Sequence, residues 1–488
     1  MLKMSPLLMM DGYKTDHRRQ YPQGTEVVTS NFTPRASRNP AVKSVVVFGL
    51  QYFLQEYLVE RFYDDFFHQS LGDVIDEYRN EMDQFLGKDA IPTEHIEQLH
   101  SLGYLPLEIR ALAEGTLCPI RVPMLTITNT HRDFFWLTNQ LETILSASFW
   151  LGCTSATMAY EYRKRFDNFN ARCGTSPEFA KFQGHDFSFR GMSSLESAMI
   201  SGAAHLTSFV GTDTIPAIQF VKKYYHGKNN GLIGCSVPAT EHSVMCMGGK
   251  DNEIDTYRRL ITKLYPSGIV SIVSDTWDFW SIMTTGISEL HDDIMARDGK
   301  VVFRPDSGDP VKIICGDPSA PPNTPEYLGA YRLLWNEFGG SNVGGHNVLN
   351  EKVGLIYGDA ITLDRQLEIL SRLKDMGFAP NIVLGIGSYS YQYATRDTYG
   401  FAMKATYGEV NGESREIFKE PKTDSGEKKS AKGRVAVYEN EMGDLQLYDQ
   451  CTEQQAEGGF LKTKFRNGQM ISRTSFADIR SRLHPKHF

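Results

Sequence analysis

The chain has 488 residues, 41% of them hydrophobic and 23% charged, with a formal net charge of -8. That length and balance allow a sizeable core in two or three domains, or one large barrel with an appended domain, and exclude a broad nucleic-acid-binding surface, so any phosphate site must be a local basic pocket. The seven cysteines contain no Cys-x-x-Cys pair and no run approaches 18 apolar residues, which together predict a cytoplasmic protein with free thiols, no structural zinc and no membrane span.

Residues 1 to about 130 mix short β-rich runs ("EVVTSNF", "KSVVVFG", "PIRVPMLTI") with helical segments such as "LQYFLQEYLVERFYDDFF". Two helices are expected next, "RDFFWLTNQLETILSASF" and "SATMAYEYRKRFDNFN", each with apolar residues three and four apart. From about 181 to 395, short apolar runs end in polar, glycine-containing turns and lead into helical segments. The clearest are "GIVSIVSDTWDFW", "KVVFRPDSGDP", "KVGLIYGDAITLDRQLEIL" and "APNIVLGIGSYSYQ". Strand, turn and helix in series predict parallel strands with helical crossovers. Polar residues close several different runs: Ser274–Asp275, Arg304–Asp306, Gly358–Asp359 and Gly385–Gly387. An open sheet gathers its ligand contacts at one switch point, whereas a barrel draws them from many strand ends, so the pattern favours the barrel. Residues 411–434 read as a polar, lysine-rich loop, and the tail reads as hairpins.

Several of these residues suit phosphate and sugar chemistry. Arg304 can grip a phosphate with two parallel hydrogen bonds, and Asp306 can accept from sugar hydroxyls or hold magnesium. The same stretch, Pro-Asp-Ser-Gly, is also ordinary turn chemistry. Asp359 is placed either to cap the helix that follows or to meet hydroxyls. Gly385, Gly387 and Ser388 form a loop over which a phosphate could lie, although the full dinucleotide fingerprint is absent. Phe187 and Arg190 precede a capping box read at Ser193 and Glu196. Asp213, between two threonines, suits a turn or cap as well as a ligand contact. His242 has no partner at metal-ligand spacing, so it is either a core histidine or a group oriented by a carboxylate from the run Asp275 to Asp278. Arg396, Lys404, Lys419, Lys428 and Lys432 form either a solvated face or the positive charge that a polyphosphate needs.

In their order along the chain, "DGYKTDHRRQYP", "HDFSFRG", "GTDT", "SVPATEHS", "SIVSDTWD", "RPDSGDP", "YGD", "LGIGS" and "TRDTYGFAMK" resemble the nicotinamide phosphoribosyltransferases, over residues 11 to about 475. The resemblance implies an irregular, TIM-like α/β barrel at residues 151–399. It implies a β-rich second domain built from both chain ends, 1–150 plus 400–488, and a homodimer with shared active sites. The implied reaction transfers phosphoribosyl from phosphoribosyl pyrophosphate to nicotinamide, giving nicotinamide mononucleotide and pyrophosphate. Magnesium would arrive on the phosphoribosyl pyrophosphate, and ATP hydrolysis would be coupled through a phosphohistidine.

Residue by residue, the resemblance gives Phe187 and a partner subunit's Tyr13 the faces of the pyridine ring, and Asp213 the carboxamide. Ser236, Val237, Ser271 and Ile356 would wall the ring. Arg190 and Arg304 would line the base and ribose-phosphate region, with Asp306 and Asp359 on ribose hydroxyls. Gly358, Gly387 and Ser388 would take the 5'-phosphate, and Arg35, Arg396, Lys404, Lys419 and Lys428 the diphosphate. His242 would be phosphorylated from ATP, with Asp275 orienting it. The family's run of three glycines is here Gly387-Ser388-Tyr389. Rival readings are nicotinate as the base, an inactive binding relative, and a barrel lyase or aldolase. The last needs a Schiff-base lysine at a strand end, and none of the strand ends recognised above carries one.

Overall fold

The computed structural model describes residues 4–225, 231–419, 431–485 and 488. The chain divides into two compact units: Met1–Thr157, Val221–Asn230 and Ala394–Leu483 in one, and Met158–Phe220, Gly231–Tyr393 and His484–Phe488 in the other.

The second unit is a ring of parallel strands. In chain order these are β1 (Gly184–Asp186), β2 (Gly211–Thr212), β3 (Ser267–Val273), β4 (Asp298–Arg304), β5 (Val353–Tyr357) and β6 (Val383–Ile386). β1 pairs with β2, β3 with β4, β4 with β5, β5 with β6, and β6 returns to β1. Residues 233–240 fill the gap between β2 and β3. Thr212 N donates to Cys235 O at 3.0 Å and Cys235 N to Val210 O at 2.7 Å. On the other side, Ser271 N donates to Pro238 O at 2.9 Å and Thr240 N to Ser271 O at 3.0 Å. Pro238 has no N–H to give, so this seventh stave makes isolated bridges in place of a continuous ladder. The barrel that the turn-ended runs predict is therefore closed, with every stave beside its neighbour in sequence.

Helices join the staves, among them Leu195–His205 after β1 and Leu363–Asp375 after β5. In the latter, Ile369, Leu370 and Leu373 are fully buried among Leu355, Leu384 and Ile386. Each such side chain contributes roughly 1.5–3 kcal/mol relative to exposure.

The first unit holds a seven-stranded antiparallel sheet in the order Glu413–Glu416, Phe401–Val410, Thr25–Pro34, Leu125–Asn129, Leu107–Ala111, Lys462–Arg466, Gln469–Met470. Both chain ends contribute strands. The tail hairpins form as read: Ala436–Glu439 pairs with Leu445–Tyr448, and Lys462–Arg466 with Gln469–Met470. The second turns through Asn467 and Gly468, both at positive φ, as a two-residue primed hairpin requires.

Three local expectations are corrected. The two helices read around residues 132–170 are largely one, Glu142–Cys173, preceded by short turns. Gly152 does not break it; a Cβ there would come within 2.7 Å of Phe48 O, so the glycine serves close packing. The capping box lies one residue later than read, between Ser194 and Ser197. The helix after Asp359 is capped by Thr362, whose hydroxyl accepts from Arg365 N at 3.2 Å, which leaves the Asp359 carboxylate out of the cap. All seven cysteines are free, and among the described residues no helix is long and apolar enough to cross a membrane.

Candidate active site

Alternation along a strand decides which side chains face the barrel lumen. On β1 and its extension His185 and Phe187 point inward, while the buried Asp186 points out. Asp186 pins the turn, accepting from Ser188 N at 2.9 Å and from the Thr212 hydroxyl at 3.2 Å. On β4 the inward set is Lys300, Val302 and Arg304, and on β5 it includes Gly354 and Ile356. With Ser236, Val237 and Ser271 these residues line a cavity of about 420 Å³ running along the strands. The Ser271 hydroxyl is buried without a hydrogen-bond partner among the described residues.

One flank of the mouth is built around Asp213. Its Oδ1 accepts from His185 Nε2 at 2.9 Å and from Ser236 Oγ at 2.6 Å. Burial alone would raise this carboxyl, but the hydrogen bonds and charge of His185 and the Ser236 hydroxyl outweigh it and hold Asp213 below its ordinary value. Phe187 lies beside this pair, its ring centroid 4.6 Å from that of His185. A Cβ on Gly385 would meet the Phe187 ring at 2.5 Å, so the glycine is what lets the aromatic ring lie there. Arg190, on the turn Phe189–Gly191, opens onto the same flank with Phe187 and Asp213. A methyl on Gly191 would collide with Ser388, so this turn and the loop of Gly387 and Ser388 are in contact.

The other flank is acidic. Asp275, 4% exposed, accepts through Oδ2 from Asp306 N at 2.9 Å, Ser307 N at 2.8 Å and Ser307 Oγ at 2.6 Å. Its Oδ1 is buried without a hydrogen-bond partner among the described residues and lies 3.8 Å from His242 Nε2. His242 opens the helix His242–Gly248 and is half exposed, with Nδ1 3.2 Å from the Thr276 hydroxyl. The approach of Asp275 to His242 is thus a near-contact, longer than a hydrogen bond. Arg304 donates to Thr240 O at 2.7 Å, while its Nε is buried, unsatisfied and 3.6 Å from Asp306 Oδ2. A Cβ on Gly358 would come within 2.4 Å of Asp306 Oδ1, so Gly358 makes room for that carboxylate. Burial, with the charges of Asp275 and Asp359, lifts the Asp306 carboxyl above its ordinary value despite Arg304. Asp275 Oδ1 and Arg304 Nε, both buried and unsatisfied, thus lie at this strand-end surface, where each has capacity for a further partner.

In the first unit, Arg35, Lys404 and Lys419 lie close enough to repel. Burial first, then the charges of Arg35, Lys419 and Lys14, lower the Lys404 ammonium against the pull of Glu142. Tyr13, 65% exposed, shares a pocket with Lys14, Glu142 and Lys404. Arg396 pairs at 3.4 Å with its neighbour Asp397. Lys428 lies outside the described residues. Among those described, no group of three or more His, Cys, Asp or Glu side chains converges as a metal cage.

Sequence reasoning missed His185 and Lys300, and gave no role to Thr276 and Ser307, although both lie in polar strand-end runs it singled out. Alternation was the available signal for the first two: His185 is two residues before Phe187, and Lys300 is four before Arg304 on the same face. Lys300 stands in the lumen with no carboxylate within ion-pair distance among the described residues, its stem over Gly354, where a Cβ would meet it at 3.3 Å.

A model of the nicotinate phosphoribosyltransferase (NAPRTase) family matches residues 182–469, and one of the nicotinamide phosphoribosyltransferase N-terminal domain matches residues 5–84. The chain is similar to a nicotinamide phosphoribosyltransferase of Acinetobacter baylyi, 53% identical over 494 residues that cover 99% of this chain and 97% of the relative. One from Xanthomonas campestris is 33% identical, covering 97% of each chain. Among solved structures, nicotinate-nucleotide pyrophosphorylase from Pyrococcus furiosus aligns with a TM-score of 0.58 at 14% identity, covering 99% of this chain and 95% of the other. Human nicotinic acid phosphoribosyltransferase aligns at 0.52 and 14%, covering 98% and 93%. These two structures speak for the fold alone.

Proposed function

The chain belongs to the nicotinamide phosphoribosyltransferase family, and from that premise we propose how its residues divide the work of making nicotinamide mononucleotide. The enzyme is a pentosyltransferase that joins nicotinamide to phosphoribosyl pyrophosphate and releases pyrophosphate. The displacement at the sugar C1 passes through a transition state with oxocarbenium character. The pyridine nitrogen already has a free lone pair, so no base is needed to make the nucleophile. Stacking, positioning and stabilisation of the departing diphosphate are what the protein must supply.

In this reading Phe187 stacks on the pyridine and Asp213 accepts from the carboxamide N–H. Ser236, Val237, Ser271 and Ile356 wall the ring, and Asp306 and Asp359 accept from ribose hydroxyls. Gly358, Gly387 and Ser388 take the 5'-phosphate, with Arg190 and Arg304 lining the base and ribose-phosphate region. Arg35, Arg396, Lys404, Lys419 and Lys428 meet the diphosphate. In a cytoplasmic homodimer, one subunit's Tyr13 and basic cluster serve the other's barrel. Asp306 and Asp359 are hard oxygen donors, which fits magnesium arriving on the diphosphate. When bound, the ion supplies charge neutralisation of the leaving group.

ATP hydrolysis is coupled through His242: a ring nitrogen takes the γ-phosphoryl as the bond to ADP breaks, and water later releases phosphate. The orphaned Asp275 Oδ1 beside the imidazole supports this role.

The reading rests chiefly on Asp213, an ionised acceptor beside a stacking ring. A carboxylate there welcomes a carboxamide and repels nicotinate. Purified protein given phosphoribosyl pyrophosphate, magnesium and an equimolar mixture of the two bases should yield nicotinamide mononucleotide almost alone. Equal yields of both mononucleotides would overturn the assignment.

A further inference from the structure

We propose that His185 is a positioning residue for base selection: it fixes Asp213 so that one carboxylate oxygen is spent on the protein and the other is left for the substrate. The inference rests on the reading of Asp213 as the carboxamide acceptor, and extends it to a residue that holds the acceptor.

The first observation is the hydrogen-bond count at Asp213. An ionised carboxylate only accepts, so His185 Nε2, 2.9 Å from Oδ1, carries the proton. Ser236 Oγ donates to that same Oδ1 at 2.6 Å. Both protein donors thus converge on one oxygen, and Oδ2 has no protein donor among the described residues. A carboxylate gripped at one oxygen cannot spin about its terminal torsion, so its free lone pairs point in a fixed direction.

The second observation is the room made for the imidazole. β1 and β2 pair with His185 opposite Gly211, and a Cβ on Gly211 would come within 2.8 Å of His185 Nδ1. Gly211 is not among the residues at positive φ, so its backbone does not demand glycine; the ring above it does. The Gly211 carbonyl is itself held from the far side by the fully buried His205 at 3.1 Å, whose other nitrogen meets Tyr391 OH at 2.7 Å. The floor under His185 is therefore braced.

The third is that His185 and Phe187 share a face of one strand, with ring centroids 4.6 Å apart and planes inclined by 41°. The side chain that grips the acceptor also shoulders the stacking ring. Without it, the carboxamide would lose a directed acceptor, while nicotinate, which Asp213 repels in either case, would gain nothing.

The test compares His185→Leu, His185→Gln and Asp213→Asn, measuring kcat and KM for nicotinamide and for nicotinate together with Tm. His185→Leu should raise the KM for nicotinamide about 10- to 100-fold, the size of a lost charge-assisted hydrogen bond, with kcat little changed and the nicotinamide-to-nicotinate ratio falling in step. His185→Gln, whose amide N–H can reach the same oxygen, should recover much of that ratio. Gly211→Ala, which displaces the ring without removing it, should lower the ratio too and serves if His185→Leu does not fold. A purely structural histidine predicts otherwise: lower Tm, equal losses with both bases and an unmoved ratio, and that result would overturn the inference. If Asp213→Asn shifts the ratio and His185→Leu does not, His185 alone is misassigned. If Asp213→Asn leaves the ratio unmoved, the acceptor assignment fails and the inference falls with it.

Discussion

On one flank of the barrel mouth, β1, β2 and the seventh stave surround a single carboxylate, Asp213, with two donors, and it sits below its ordinary pKa. On the other, the ends of β3, β4 and β5 bring together Asp275, Asp306 and Asp359 around Arg304, and Asp306 is pushed the opposite way. The protein answers the first carboxylate itself and leaves the second group under-answered, with Asp275 Oδ1 and Arg304 Nε both unsatisfied. A flank that is internally satisfied acts as a fixed template. A flank with unused donor and acceptor capacity is what the proposed role in meeting hydroxyls, phosphates and their cations calls for.

The largest effect should come from breaking the acidic flank at His242. His242→Ala should abolish both ATP-dependent stimulation and an acid-labile, base-stable phosphate label, yet retain measurable synthesis without ATP. Radiolabelling and product assays on the same preparation read this; stimulation that persists in the folded variant refutes the phosphohistidine.

Next is Asp306→Asn, which should lower kcat/KM about 100-fold while raising the Tm of the ligand-free protein by about 1–2 °C. The sign follows from linkage. The folded carboxyl titrates above its unfolded value, so its charged form destabilises the fold. The gain from Asn is complete above the folded pKa and disappears as pH falls below about 3.8, the ordinary aspartate value. A Tm that falls at neutral pH would contradict the contrast between the flanks.

Gly385→Ala probes the template flank. Its Cβ would press on the Phe187 ring and on Gly358 Cα at 2.9 Å, so the KM for nicotinamide should rise about 10-fold, a share of the stacking energy. Saturation curves for each substrate check this; an unchanged value for nicotinamide would show that Phe187 is not held by that glycine.

The smallest effect is expected at Lys300, deep in the lumen. Burial lowers its ammonium, partly opposed by Glu351. Lys300→Met should stabilise the protein by about 1 kcal/mol at neutral pH. The folded pKa lies below the unfolded one, so this advantage should shrink as pH rises from the folded value through about 10.4. Denaturant titrations at pH 7 and above pH 10 measure the difference.

The barrel was legible because each apolar run ended in a polar turn before a helix, and β3 to β6 follow those runs. The seventh stave was not. Its pairing is carried by backbone atoms of Cys235, Pro238 and Thr240 on two different neighbours, and no β-branched alternation announces it. The long helix was read as two, with residues 150–154 left between them; Gly152 lies in that gap, and its lack of a side chain is required by Phe48 on another element. At the site, candidate side chains could be named at strand ends. What they touch could not, because the His185–Asp213 and Asp275–Ser307 contacts join residues 28 and 32 positions apart. Applying alternation back from Phe187 and Arg304 would have put His185 and Lys300 among the lumen residues.

The seventh stave also gives the barrel a seam. Ladders tie the other six staves, from seven residue pairs between β3 and β4 down to two between β1 and β2 and two between β5 and β6, while residues 233–240 hang from two backbone amide bonds on each side. Local opening costs least where the fewest buried hydrogen bonds must break. By that measure this segment is among the most lightly held parts of the ring. Ser236 and Thr240 ride on it, and they hold Asp213 and Arg304 respectively. One segment thus touches a residue of each flank, so the two halves of the mouth share one mechanical clasp.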